Sequence, residues 1–231
     1  MVFAASSLTE AFKEAGAAFS ERHTGTKVTF NFGASSALAT QINEGAPADV
    51  FASADAAQMR VVADSGNASG PVTFATNVPV VVVASSGSPV ASFADLAKPG
   101  LRLVFAAPEV PIGRYARDIL TNASRASGGP GAEFSAKVLA NVKSNEANVR
   151  AVLTKVRLGE ADAGIVYATD AGIAGSGTTT VAIPAEFNVV AQYPVAVVKD
   201  AEHVAVAKAW VAFLLSPEGQ AVLAKYGFGA P

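Results

Sequence analysis

The chain has 231 residues, half of them hydrophobic and only 16% charged, which is enough apolar material for a sizeable core and excludes a disordered or fibrous chain. Seventeen basic against 19 acidic side chains leave a net charge of −2, with no run of like charges, so there is no electrostatic footprint for nucleic acid or an anionic membrane surface. Cysteine is absent and the only histidines are His23 and His203, which removes disulfide scaffolds, zinc fingers, iron–sulfur ligation and thiol catalysis.

Strand and helix patterns alternate almost throughout. VFAA reads as a strand, followed by a helix with Leu8, Ala11, Phe12, Ala15 and Phe19 at helical spacing, then KVTFNF with Val28, Phe30 and Phe32 on one face. The next helix carries Leu38, Gln41 and Ile42 and closes at Gly45; DVFASA follows as a short buried strand and AAQMRVVADSG as another helix. TNVPVVVVASSGSPV predicts one strand of high β-branched density, ending in a Ser/Gly/Pro loop. LRLVFAAP is a strand, and PIGRYARDILTNAS places Ile112, Tyr115, Ala116, Ile119 and Leu120 on one face of a helix that starts at Pro111. AEFSAKVLANV predicts a helix leading into ANVRAVLTKVRLG, whose Val149, Val152, Leu153 and Val156 form a stripe ended by Gly159. AGIVYA, TTTVAIP and NVVAQYPVAVVKD read as strands. The tail is helical, with Ser216 as cap, Pro217 as first residue and Gly227 as stop of the last helix.

No stretch approaches the roughly 20 apolar residues of a membrane span. The chain opens inside a strand-like run, MVFAASS, so a processed signal or lipid-anchor segment is expected to lie outside it. Two strand-rich segments, near 72–86 and 188–199, enclose the middle third. If both cross between halves, residues 1–78 and 196–231 form one discontinuous lobe and 79–195 the other, with a ligand cleft between them.

In open α/β sheets, ligands collect beyond the carboxyl ends of strands, where helices begin and their amides are unpaired. Five such junctions stand out: AASSLTE, FGASSALA, APEVPIGRYA, KSNEANVR and GIVYATDA. Together they offer hydroxyls, backbone N–H groups and a phenol, a set of neutral donors suited to a dehydrated oxyanion held by fixed dipoles. Such a set also disfavours an anion that still carries a proton, because that proton needs an acceptor. Each candidate has a plainer reading. Ser7 stands three residues before Glu10, the spacing of a capping box. Ser35 and Ser36 have no acidic or amide partner at the equivalent position, and for them capping and ligand binding both stay open. Tyr167 at a strand end suits a core aromatic, and Ile112 and Val149 act through the main chain only.

The segments VFAASSLTEAF, FGASSALATQINEGAPADVFASAD, PIGRYARDIL, GEADAGIVYATDA, QYPVAVVK and SPEGQAVLAKYGF, in this order and spacing, resemble the periplasmic molybdate-binding proteins of bacterial ABC uptake systems over nearly the whole chain. The resemblance implies a two-lobed class II periplasmic-binding α/β fold, each lobe a mixed sheet flanked by helices, with two crossing strands joining them. It implies molybdate or tungstate as ligand, held by the hydroxyls of Ser7, Ser35 and Tyr167 and the N–H groups of Ile112 and Val149. Ser36 is the neighbour that serves the helix end and a secondary candidate. It implies no cofactor, no directly coordinated metal and no catalytic residue, a periplasmic or extracytoplasmic location, a monomer, and a membrane ABC permease as partner that reads the closed form. Ile112 stands where a small residue, commonly alanine, is expected, and Asn148 where an acidic one is frequent. Arg114 and Glu109 are candidates for permease contact or solvated surface charges.

The alternatives are a binding protein for sulfate or another tetrahedral oxyanion, the effector domain of a transcription regulator, and a serine hydrolase. No helix-turn-helix segment accompanies the chain. Neither histidine adjoins a nucleophile-elbow pattern.

Overall fold

The computed structural model describes residues 1–231, which divide into two compact units: Met1–Asn77 with Gln192–Pro231, and Val78–Ala191.

The first unit opens with β1 (Val2–Ala5), α1 (Thr9–Arg22), β2 (Phe30–Gly33), α2 (Ser35–Asn43), β3 (Val50–Ala52), α3 (Ala56–Asp64) and β4 (Ala68–Asn77). The second contains β5 (Pro79–Ala84), β6 (Leu103–Ala106), α4 (Pro111–Arg125), α5 (Phe134–Ala140), β7 (Val142–Glu146), α6 (Val149–Arg157), β8 (Ala163–Tyr167), α7 (Ala168–Gly172) and β9 (Thr178–Val181). β10 (Ala191–Val198), α8 (Val204–Leu215) and α9 (Pro217–Lys225) then complete the first. The residues 192–195, which the sequence assigns to the middle lobe, belong to the first unit. The reason is pairing: Val195, Ala196 and Val197 of β10 lie antiparallel against Ala52, Phe51 and Val50 of β3.

Each unit carries a five-stranded mixed sheet, ordered β2-β1-β3-β10-β4 in the first and β7-β6-β8-β5-β9 in the second. In the first, β1 runs parallel to β2 and β3; in the second, β6 runs parallel to β7 and β8, while β5 is antiparallel to β8 and β9. β1, β3, β6 and β8 are buried along their whole length, as expected of strands covered by helices on both faces, and their sequences are near-continuous apolar runs.

One layer of the first unit is aromatic. Trp210 of α8 meets Phe12 and Phe19 of α1 edge to face, with ring centres 5.5 and 5.4 Å apart. On the other layer Phe3, Leu38, Ile42, Phe51, Met59, Val62 and Ala196 pack together under α2 and α3. In the second unit, Ile119 and Leu120 of α4 and Val152 and Val156 of α6 are buried with Phe105, Ile165 and Val81–Val83 of the sheet.

Two elements depart from the sequence reading. The single strand expected in TNVPVVVVASSGSPV is divided at Val78: β4 ends at Asn77 and β5 begins at Pro79. The sequence marks β7 only as a junction, because VKSNE lacks an apolar alternation; it is a sheet edge, partly or fully exposed at every residue.

Candidate functional site

In the first unit, β2, β1 and β3 are adjacent and parallel, so their carboxyl ends bring three segments to one edge of the sheet. Ser7 follows β1 in a single 3-10 turn, Ser6–Leu8. That turn separates Ser7 from α1, which starts at Thr9 with no side-chain cap, so the capping-box reading of Ser7 and Glu10 is corrected. Ser7 is buried, and its Oγ lies 2.9 Å from the phenol oxygen of Tyr193 on β10. Asn77 Nδ2 donates to the same phenol at 3.4 Å.

Ser35 is the first residue of α2 and is 1% exposed. No side chain caps α2, which corrects the assignment of Ser36 to that duty; Ser36 is half-buried beside it. Instead, Ser35 Oγ accepts from the Ala54 N–H at 3.0 Å. The loop after β3 fixes that donor. Ser53 Oγ donates to the Asp55 carbonyl at 2.8 Å and accepts the Asp55 N–H at 3.2 Å. The Ser53 N–H donates to the Pro194 carbonyl, and Asp55 caps α3 by accepting from the Gln58 N–H. Sequence reasoning passed over Ser53, Ala54, Asn77 and Tyr193; only the DVFASAD turn residues carried a local signal.

The second unit repeats the arrangement. β7, β6 and β8 are adjacent and parallel, and their carboxyl ends lead to Val149, Ile112 and Tyr167. Ile112 is the second residue of α4, after Pro111 at the position where a missing N–H costs nothing, so the Ile112 N–H belongs to the helix's unpaired first turn. Gly113 makes a close approach possible: a Cβ there would stand 2.0 Å from the Ala107 carbonyl oxygen and 2.5 Å from that of Ala106. Arg117 braces the same corner, donating to the carbonyls of Ala106 and Gly113 at 3.1 and 2.7 Å and to Asn145 Oδ1 at 2.8 Å. Burial pushes its guanidinium below the ordinary arginine value, against an opposing pull from Glu109.

Asn148 caps α6 by accepting from the Ala151 N–H at 3.1 Å, which leaves the Val149 N–H at the open helix end. Asparagine performs this duty as aspartate does, without the charge. Tyr167 closes β8 and is 1% exposed. The next turns are locked together by Arg150, whose Nε lies 2.8 Å from Oδ1 of the fully buried Asp170. Arg114 pairs with Asp118 at 3.2 Å and sits over the Tyr115 ring.

A separate cavity of about 270 Å³ lies at the opposite, amino ends of β1–β3, lined by Val28, Thr29, Asp49, His203 and Trp210 among others. None of the donor residues lines it. Ligands of parallel strands gather at the carboxyl ends, so the cavity is not the candidate site. No group of three or more His, Asp or Glu side chains is placed to hold a metal ion, and no helix is long and apolar enough to cross a membrane.

The sequence profile of bacterial extracellular solute-binding proteins matches residues 1–229. The chain belongs to that family. Among these solute-binding proteins it is 42% identical to the molybdate-binding protein ModA of Mycobacterium tuberculosis, across all of this chain and 84% of the relative. A solved structure described as the substrate binding domain of a putative molybdenum ABC transporter from Clostridium difficile is 29% identical, with a TM-score of 0.72 over 100% of this chain and 97% of the other. The Azotobacter vinelandii periplasmic molybdate-binding protein shares the fold at a TM-score of 0.83 and 22% identity, covering 100% and 98% of the two chains. The α/β fold expected from the sequence, mixed sheets flanked by helices, is therefore that of the periplasmic binding proteins.

Proposed function

We propose that this solute-binding protein captures molybdate or tungstate outside the cytoplasm, as a bare tetrahedral dianion, and delivers it to the membrane permease of an ABC uptake system. The observation that carries the reading is the repeated arrangement of neutral donors: Ser7 and Ser35 at the strand ends of one unit, Ile112, Val149 and Tyr167 at those of the other. The identity to ModA supports the choice of anion.

The physical case is one of fixed dipoles. Helix starts offer unpaired N–H groups and fractional positive charge, so a dianion can shed water onto them without a counter-cation. Such donors are preorganised by the sheet and lose little entropy on binding. Charge-assisted hydrogen bonds contribute about 1.5–3 kcal/mol each, so five of them suffice for tight capture after desolvation. Ile112 donates through its main chain while its branched side chain packs inward, buried at 1% exposure; the small residue expected there is not required for the N–H to serve.

Thermal unfolding against molybdate, tungstate, chromate, sulfate and phosphate tests the reading. A ligand at 100 times its Kd adds about 2.7 kcal/mol. Molybdate and tungstate are expected to raise the midpoint far more than the others. Equal stabilisation by sulfate would reassign the protein to general oxyanion capture, and no shift with any of the five would remove the proposal.

A further inference from the structure

We propose that Ser53 is a positioning residue for anion capture: its hydroxyl fixes the peptide plane whose N–H holds Ser35 as a hydrogen donor, so it sets affinity without touching the ion. The inference rests on the reading that Ser35 donates to the anion, and it names the residue that prepares that donor.

Every bond in this set of contacts has a backbone atom at one end, so its direction is fixed: an N–H gives and a carbonyl receives. Ser53 and Ser35 are 0% and 1% exposed, and their partners all lie inside the first unit. The Ala54 N–H donates to Ser35 Oγ at 3.0 Å. That oxygen has no further partner in the chain, so what Ser35 has left to give is its own hydrogen. Ser53 has none to spare, because its single proton goes to the Asp55 carbonyl at 2.8 Å, which places it behind the site rather than in it.

What Ser53 controls is orientation. Its Oγ also accepts the Asp55 N–H at 3.2 Å, closing a ring that runs through the Ser53–Ala54 peptide plane, and that plane carries the Ala54 N–H. The Ser53 N–H donates to the Pro194 carbonyl of β10 at 2.9 Å. The plane is thus held by a strand partner before it and by the serine side chain after it. Without the hydroxyl, ψ of Ser53 and φ of Ala54 lose a restraint and the Ala54 N–H tilts away from Ser35 Oγ. Hydrogen bonds weaken steeply with such misalignment. Ser35 then samples other rotamers and must be ordered again when the anion arrives, a cost that preorganisation removes.

The experiment is a double-mutant cycle in which calorimetry gives the Kd for molybdate of the wild type, Ser53→Ala, Ser35→Ala and the double variant, each well below its own unfolding midpoint. Ser53→Ala strands the buried Asp55 N–H and carbonyl, so it lowers stability whatever its role, and Kd is the readout. Ser53→Ala is expected to weaken binding by roughly three- to tenfold when Ser35 is present, and by less than about twofold when residue 35 is already alanine. A merely structural role would leave affinity unchanged or weaken it equally in both backgrounds, and either result overturns the proposal. If Ser53→Ala does not fold, Ser53→Cys takes its place in the cycle, since a thiol suits a buried position and makes weaker hydrogen bonds at both ends; wild-type affinity, or an equal loss in both backgrounds, overturns the proposal there too. Ser35→Ala at wild-type affinity removes the contact on which the proposal rests, and the proposal with it. A wild-type protein that binds no molybdate would instead bring down the function proposed above.

Discussion

Gly113→Ala is the substitution whose effect can be worked most directly from the geometry. In an exposed helix the change is favourable by about 1 kcal/mol, because glycine is the poorer helix former. Here the new Cβ would lie 2.0 Å from the Ala107 carbonyl oxygen and 2.5 Å from that of Ala106, both main-chain atoms in the turn that feeds α4. A carbon and a carbonyl oxygen sit no closer than about 3.3 Å, so the first turn of α4 must retreat by about 1.3 Å. The adjacent Ile112 N–H moves with it. A donor displaced that far from about 2.9 Å no longer makes a hydrogen bond, and the loss of one charge-assisted bond costs about 1.5–3 kcal/mol, or roughly 10- to 150-fold in Kd. Overpacking also lowers stability by about 1–3 kcal/mol. Calorimetry with molybdate reads the first effect and thermal unfolding the second. Gly219→Ala is the control: its Cβ would meet the Phe213 carbonyl oxygen at 2.1 Å at the start of α9, far in sequence from any donor, so it should lose stability and keep affinity. Gly113→Ala binding molybdate as the wild type does would refute the role of the Ile112 N–H.

The two adjacent serines should separate. Ser35→Ala is expected to weaken molybdate binding by about 0.5–3 kcal/mol and to lower stability as well, since the buried Ala54 N–H loses its acceptor, whereas Ser36→Ala should leave affinity within about twofold; calorimetry on both checks this. Asp170→Ala removes the partner of Arg150 from a fully buried position and should cost about 3 kcal/mol in urea unfolding, a loss smaller than about 1 kcal/mol contradicting the importance of the pair. Asp162 supplies a pH dependence. Burial pushes its carboxyl up, but the Arg102 guanidinium and N–H, both at 2.7 Å, outweigh this and hold it below the usual carboxylate value. A carboxylate depressed in the folded state stabilises fully above its unfolded pKa of about 3.9 and loses that contribution as pH falls through the folded value. Asp162→Asn should therefore cost about 1 kcal/mol at pH near 7, after allowing for the solvent screening of a half-exposed arginine, with the difference from wild type fading below about pH 4. A difference constant across that range would contradict the assignment.

Much of this architecture is written in local signals. Pro111, the Ser216–Pro217 pair and the left-handed glycines 45, 159 and 227 set helix ends where the sequence places them, because each encodes its turn within a few residues. The fully buried strands are legible as apolar runs for the same reason. Edges are not: β7 has a polar, half-exposed sequence and forms only because β6 offers it a backbone partner. Ser7 shows the limit more sharply. Its distance from Glu10 fits a capping box, but the fold inserts a 3-10 turn, and the partner it actually meets, Tyr193, is 186 residues away. Ser35 likewise finds its partner on a neighbouring strand's loop rather than in its own helix. The junctions that carry the candidate site could be found from strand–helix boundaries; what fixes each hydroxyl's direction comes from contacts that no local pattern records.

A crystal structure with bound tungstate addresses the central claim most directly, because the anomalous signal of tungsten locates the ion without ambiguity. The account predicts its oxygens within about 3 Å of Ser7 Oγ, Ser35 Oγ, the Ile112 and Val149 nitrogens and the Tyr167 hydroxyl, with no lysine or arginine side chain in contact. Tungsten held by a basic side chain, or seated in the cavity beside Asp49 and His203, would contradict it.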